Sequence, residues 1–315
     1  LSILVDQDTR IIVQGITGRE AVSFTRDMLD YGAKMVGGVT PGRGGRDVLG
    51  VPVYDSVRQI TEKERVDASV LAVPAPFVRD AAFEAIEGGI PLLVIVTERV
   101  PRRDVVQVLE LARLRGSRVI GPNTMGIISP GKTKVGSIGG PAEDTRKSFL
   151  SGPVGVMSRS GGMTTELSNL LTQSGLGQST AISMGGDPIV GSTFAELLPL
   201  WEEDPDTKAL VLFCEPGGPL EAALADQVRL PAGRTGGPDG HARRAGDSLP
   251  IIAFIAGHFT AEMPGVRFGH AGSIVEGKAD TVEEKARIMR EAGIVVADDF
   301  SQIPALVERA LRSRS

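Results

Sequence analysis

The residue with the most chemical potential is His270, set in Arg267-Phe268-Gly269-His270-Ala271-Gly272-Ser273. Small neighbours let an imidazole swing and be approached from several sides. That suits a ring that takes up a group in one place and releases it in another. Such a ring acts as a nucleophile when a carboxylate accepts the proton of one nitrogen and raises the basicity of the other. Glu215 is the candidate partner. It follows the apolar run 209–214 and opens the turn Glu215-Pro216-Gly217-Gly218. The heptad alone also fits an ordinary loop, so the expectation rests on that carboxylate. His241 and His258 complete the three histidines, and their spacing suggests no metal site.

Two further stretches have the make-up of anion sites. Ser158-Arg159-Ser160-Gly161-Gly162-Met163-Thr164 stands where an apolar strand gives way to a helix. Ser160, Gly161 and Gly162 would there offer a hydroxyl and free amides to a phosphate. A serine nucleophile is the rival reading, but the spacing is not G-x-S-x-G. Gly15-Ile16-Thr17-Gly18-Arg19-Glu20 holds the same position after residues 10–14. Ala21 takes the third-glycine place of the dinucleotide fingerprint, and no acid stands about twenty residues on to hold a ribose diol. Arg43, in the turn after the second strand, suits a phosphorylated nucleotide better. Pro74 in Val73-Pro74-Ala75-Pro76 and the run Val96-Thr97-Glu98 close the next two strands on the same edge. Thr97 and Glu98 would hydrogen-bond a base or an amide arm, although strand-end prolines and helix-start acids are also common for structural reasons alone. Gly185-Gly186-Asp187-Pro188 adds one more glycine pair to a crowded edge.

The elements that must position these residues alternate. Apolar strands at 10–14, 34–39, 66–73, 91–97 and 119–120 are separated by helices through 22–29, within 76–90 and at 102–115. Near-continuous apolar strands between helices specify a parallel sheet covered on both faces, here a Rossmann-like domain over 1–125. Residues 130–152 read as a polar connection. A second series follows, with strands at 154–157, 180–184, 209–214, 251–256 and 293–296 and helices at 161–174, 193–203, 219–228, 282–292 and 301–312. It predicts a flavodoxin-like doubly wound domain over 126–315, interrupted at about 229–249 by a Gly-, Pro- and Arg-rich surface insertion without a core role.

Length and composition agree: 315 residues allow two domains, and 41% hydrophobic with 23% charged residues describes a globular chain. A net charge of −5 without a basic run argues against nucleic acid, and Cys214, the sole cysteine, excludes an internal disulfide. No apolar run is long enough to span a membrane, and no signal or transit peptide is expected.

Taken together the motifs resemble the α subunit of succinyl-CoA synthetase and its relatives, the acid–CoA ligases that form phosphohistidine. Gly15-Ile16-Thr17-Gly18, Lys34-Met35-Val36-Gly37-Gly38-Val39-Thr40-Pro41-Gly42, Gly121-Pro122-Asn123, Ser158-Arg159-Ser160-Gly161, Gly185-Gly186-Asp187-Pro188 and Gly269-His270-Ala271-Gly272 follow in the family's order along nearly the whole chain. The resemblance implies a CoA-binding first domain, with Thr17, Gly18, Arg19, Glu20, Arg43, Pro74, Val96, Thr97 and Glu98 around CoA. It implies that His270 is phosphorylated and oriented by Glu215, that Ser160, Gly161 and Gly162 stabilise the phosphoryl group, and that Asn123 and Thr165 lie near the acid. A β partner with an ATP-grasp domain, in a heterodimer or heterotetramer, would bind ATP or GTP and most of the Mg²⁺. The implied location is cytoplasmic, or the mitochondrial matrix once a transit peptide is removed. Succinate is the default acid. Thr165 replaces the family's tyrosine and Thr124 its cysteine, while Ser160-Gly161-Gly162-Met163 and Val266-Arg267-Phe268-Gly269-His270 look like the citrate-activating branch, as in ATP-citrate lyase. A citrate- or other dicarboxylate-activating ligase is therefore an alternative, and a CoA-binding sensor without catalysis is another.

Overall fold

The computed structural model describes residues 2–229, 249–257, 270, 277 and 280–313. The first sheet is built from β1 (Arg10–Gln14), β2 (Lys34–Val39), β3 (Asp47–Val48), β4 (Val51–Tyr54), β5 (Ala68–Leu71), β6 (Leu92–Ile95) and β7 (Arg118–Ile120). Ile11, Ile12 and Val13 are fully buried, because β1 lies at the sheet's centre with helices on both faces. The order β3-β4-β2-β1-β5-β6-β7 is parallel apart from the short antiparallel pair β3·β4. Without β3 it is the 3-2-1-4-5-6 order of the dinucleotide-binding fold. Its helices are α1 (Arg19–Tyr31), α2 (Arg58–Thr61), α3 (Val78–Glu87) and α4 (Arg102–Arg115).

The second sheet holds β8 (Gly126–Ser129), β9 (Thr133–Val135), β10 (Ser151–Ser158), β11 (Gln178–Ser183), β12 (Ala209–Cys214), β13 (Ile251–Ile255) and β14 (Val295–Ala297). Around it lie α5 (Ala142–Ser148), α6 (Gly161–Gln173), α7 (Phe194–Glu203), α8 (Leu220–Arg229), α9 (Val282–Glu291) and α10 (Ile303–Arg312). Strands β14-β13-β12-β10-β11 are parallel and follow the flavodoxin-type order. Both doubly wound sheets match the expectation from the sequence.

Details differ from it, besides shifts of one to three residues at the ends of several strands and helices. Residues 130–152 are not a mere connection: β8 and β9 form an antiparallel hairpin that extends the sheet beyond β11, and α5 packs on α6. These pieces are too short to show a period. The strand expected over 66–73 spans only Ala68–Leu71. Strands β3 and β4 and helix α2 went unread. The edges of the expected insertion also belong to the fold, since Arg229 ends α8 and bonds the Ile288 carbonyl, and Leu249 is buried in the core. The rest of that insertion lies outside the described residues.

The sheets share one apolar core. It runs from Ile11, Val13 and Met28 through Ile127 and Val135 to Met157, Ile182, Leu197 and Trp201. Hydrogen bonds add to it: Gly121 N to the Met184 carbonyl (3.1 Å), Gly191 N to the Gly121 carbonyl (2.8 Å), Ser192 Oγ to the Val119 carbonyl (2.8 Å) and Ser129 Oγ to the Val5 carbonyl (2.8 Å). Among the described residues no helix is long and apolar enough to cross a membrane.

Candidate active site

In open α/β sheets ligands bind beyond the carboxyl ends of the strands, where successive connections turn in opposite directions. In the second sheet that point lies between β10 and β12. The chain leaves β10 as Arg159-Ser160 and leaves β12 as Glu215. Glu215 is buried, and His270 Nδ1 stands 2.9 Å from each of its carboxylate oxygens. With Nδ1–H donating to the carboxylate, the Nε2 lone pair is free for attack. The hydrogen bond that Nδ1–H donates to Glu215 is the main cause raising the His270 pKa above its usual 6.5. Burial opposes it, the charges of Glu215 and Asp187 add to it, and the positive Arg159 works against it. The imidazole lies on Gly186, where a Cβ would collide with the ring.

Glu215 is held from beneath. The Nζ of Lys285, on α9, donates to the carbonyls of Glu215 (2.9 Å) and Gly217 (2.7 Å) and to Glu221 Oε2 on α8 (2.6 Å). Both charged side chains are buried, at 2% and 0% exposure. Arg159 is buried as well; its Nη1 reaches the Gly217 carbonyl at 3.5 Å, and its Nε has no hydrogen-bond partner.

Ser160 is the N-cap of α6. Its Oγ accepts from Met163 N at 3.5 Å, and its own N–H donates to Ser158 Oγ. A hydroxyl used as a cap beside open amides fits an anion site better than a nucleophile. The two glycines that follow differ. A Cβ on Gly161 would strike the Met125 side chain, so this glycine is set by packing, whereas Gly162 faces open space. Thr165 is partly buried one turn into the helix, and among the described residues no hydrogen bond joins it to Asn123 or His270.

Asn123 comes from the first sheet's edge, after β7. Its backbone N–H donates to the Thr97 carbonyl (3.0 Å), its carbonyl accepts from Gly186 N (3.2 Å), and its Nδ2 donates to Asp187 Oδ1 (3.1 Å). Burial raises the Asp187 pKa, while the Asn123 side chain and the Arg99 backbone N–H, both donating to its carboxylate, pull it down; Glu98 and His270 act on it through charge. Asp187 thus joins the two sheets here: it accepts from Asn123 and Arg99 of the first and lies within electrostatic reach of Glu98 and His270. Asp187, Arg159, Lys285 and Arg99 were missed as site residues. Asp187, within Gly185-Gly186-Asp187-Pro188, and Arg159, within Ser158-Arg159-Ser160-Gly161, carried a signal; Lys285 and Arg99 carried none.

The remaining candidates gather at the corresponding point of the first sheet, between β1 and β5. Gly18 is the N-cap of α1 with no side-chain cap, which leaves the first amides of the helix open beside Thr17, Arg19 and Glu20. Thr17 Oγ1 lies 3.2 Å from Thr40 Oγ1, and Arg43 is exposed in the adjoining turn. Thr97 Oγ1 donates to the Val73 carbonyl (2.7 Å), bringing Val96 and Thr97 next to Pro74. Open amides, paired hydroxyls and a free guanidinium fit a phosphorylated nucleotide. Cys214 is fully buried and its thiol pKa is pushed well up by that burial, so it is no nucleophile. The glycines flanking His270, with Phe268, His241 and His258, lie outside the described residues.

Comparison with known proteins agrees with this division. Residues 6–99 match the model of the CoA binding domain and residues 157–295 that of the CoA-ligase. The chain is 44% identical to the alpha subunit of the ADP-forming succinate–CoA ligase of Methanothermobacter thermautotrophicus, over 96% of this chain and 95% of that one. It is 39% identical to a subunit of the ADP-forming sulfoacetate–CoA ligase of Bilophila wadsworthia, over 99% and 100%. The fold superposes on the ATP citrate lyase of Methanothrix soehngenii, solved with citrate and coenzyme A, with a TM-score of 0.87 at 23% identity over 99% of this chain. This chain spans 51% of that larger one. The chain belongs to the acid–CoA ligases, in the family of succinate–CoA ligase alpha subunits.

Proposed function

We propose that this chain is the alpha subunit of a nucleoside-diphosphate-forming acid–CoA ligase that works through phosphorylated His270, with succinate as the default acid. The observation that carries this reading is the 2.9 Å contact of His270 Nδ1 with the Glu215 carboxylate. A CoA-binding sensor would have no use for it. Nε2 attacks the terminal phosphorus of ATP or GTP, the bond to the nucleoside diphosphate breaks, and the diphosphate leaves. Glu215 steadies the positive charge that develops on the ring. A carboxylate oxygen of the acid then attacks phosphorus, the P–N bond breaks, and its electron pair returns to Nε2. Finally the CoA thiol attacks the acyl carbon, the C–O bond to phosphate breaks, and the departing phosphate takes the thiol proton. The hydroxyl of Ser160, the amides of Gly161 and Gly162 and the charge of Arg159 hold the phosphoryl group. Asn123 and Thr165 border the acid. Thr17, Gly18, Arg19, Glu20, Arg43, Pro74, Val96, Thr97 and Glu98 hold CoA. A β partner with an ATP-grasp domain supplies the nucleotide site and the Mg²⁺.

The test is incubation of the αβ complex with γ-labelled nucleotide. Acid-labile, base-stable label is expected on the wild-type chain and none on His270→Ala; label on the variant would overturn the mechanism. CoA-dependent turnover of succinate, citrate and malate then ranks the acids. The relative that acts on sulfoacetate is a reason to include that acid as well.

A further inference from the structure

Among the described residues four that are not glycine have a left-handed backbone: Leu4, Leu49, Arg99 and Asn123. Two of these meet at the candidate active site. Asn tolerates this conformation; an arginine does not favour it, and such strain persists where the surroundings hold it in place. Arg99 (φ 57) is held by its neighbours. Its N–H donates to the Asp187 carboxylate, which also accepts from Asn123 Nδ2 and lies within electrostatic reach of His270. Its side chain is 84% exposed, on the residue whose backbone N–H holds Asp187. Its nearest acid is Glu98, with Nε 3.7 Å from Oε1. That is longer than the roughly 2.7–2.9 Å of a charge-assisted hydrogen bond, so the fork stays open to an anion.

The charge around the site makes that anion specific. Glu98, Asp187 and Glu215 are all acidic, and among the described residues the cations Arg159 and Lys285 are buried, Arg159 reaching the Gly217 carbonyl and Lys285 bonding the carbonyls of Glu215 and Gly217 and the Glu221 carboxylate. An acid with two anionic ends entering here needs a second cation away from the reacting carboxylate. Arg99 is placed to be that cation.

Resting on the proposed ligase reading, we infer that Arg99 is a specificity-determining residue: its guanidinium binds the distal anionic group of a dianionic acyl substrate while the proximal carboxylate reacts. Arg99→Gly is the informative variant, because glycine accepts this backbone without strain and the fold should not suffer. In the αβ complex, the KM for succinate should rise roughly 10- to 100-fold, as for loss of a charge-assisted pair. The KM for CoA and the labelling of His270 should stay unchanged. Turnover of propionate, which lacks the distal carboxylate, should also be unchanged, so the preference for succinate over propionate collapses by the same factor. Arg99→Lys should keep part of the preference. An unchanged preference in Arg99→Gly overturns the inference and leaves the ligase reading intact. A rise in the KM for CoA in place of that for the acid also overturns it, making Arg99 a CoA phosphate contact. A wild-type complex that forms no acyl-CoA from any acid overturns both, and is seen before any variant is made.

Discussion

Glu215 and His270 show how one contact sets the basicity of a ring and its response to pH. Because the folded-state pKa of His270 is raised, the bound proton stabilises the fold. That contribution is complete below the ordinary 6.5 and is lost as pH rises through the higher folded value. Glu215→Gln removes its main cause, while burial and Arg159 remain to depress the ring. NMR titration should then find the His270 pKa well below that of the wild type. The stability gap between the two proteins, from urea melts, should be widest below the ordinary 6.5 and narrow as pH rises through the raised folded value. An unshifted ring would sink this account. His270 and Glu215 were legible because each stood in a motif of distinctive residue types. The parts played by Arg159 and Asp187 were not legible, since charged residues are ordinarily exposed, whereas Arg159 is buried against the Gly217 carbonyl and Asp187 takes its partners from the other sheet.

At the scale of elements, the turn after β12 has little structure of its own, and α8 and α9 brace it through Lys285 and Glu221. On an amphipathic helix a lysine reads as surface, so nothing in the sequence of α9 marked Lys285 as buried. Removing one partner of a buried pair leaves the other charge uncompensated. Lys285→Met should cost about 3–5 kcal/mol in urea unfolding, and the double variant Lys285→Met, Glu221→Leu should recover most of that loss. A double variant as unstable as the single one would show that the pair matters only for the carbonyls it holds. The main strands were legible as apolar runs of about four to eight residues. The hairpin β8–β9 was not: three- and four-residue strands carrying Ser129, Thr133 and the buried Lys134 offer neither length nor alternation.

At the scale of the molecule, the two sheets could be counted in the sequence but their union could not, since it rests on long-range packing. With one core running through both and Tyr31 of α1 buried against the second sheet, the halves should melt together. Calorimetry should record one transition with matching calorimetric and van't Hoff enthalpies; two separated peaks would contradict a shared core. The bonds from Gly121 N to the Met184 carbonyl and from Gly186 N to the Asn123 carbonyl tie the two sheet edges directly. On the proposed mechanism, in which the thiol comes along one edge and the acyl group is held on the other, this tie would replace diffusion with a fixed separation. Well-oriented reactants held in this way can behave as though at about 10⁵–10⁸ M. Backbone that looks like mere joinery between domains would, on that mechanism, become a source of local concentration for the final step.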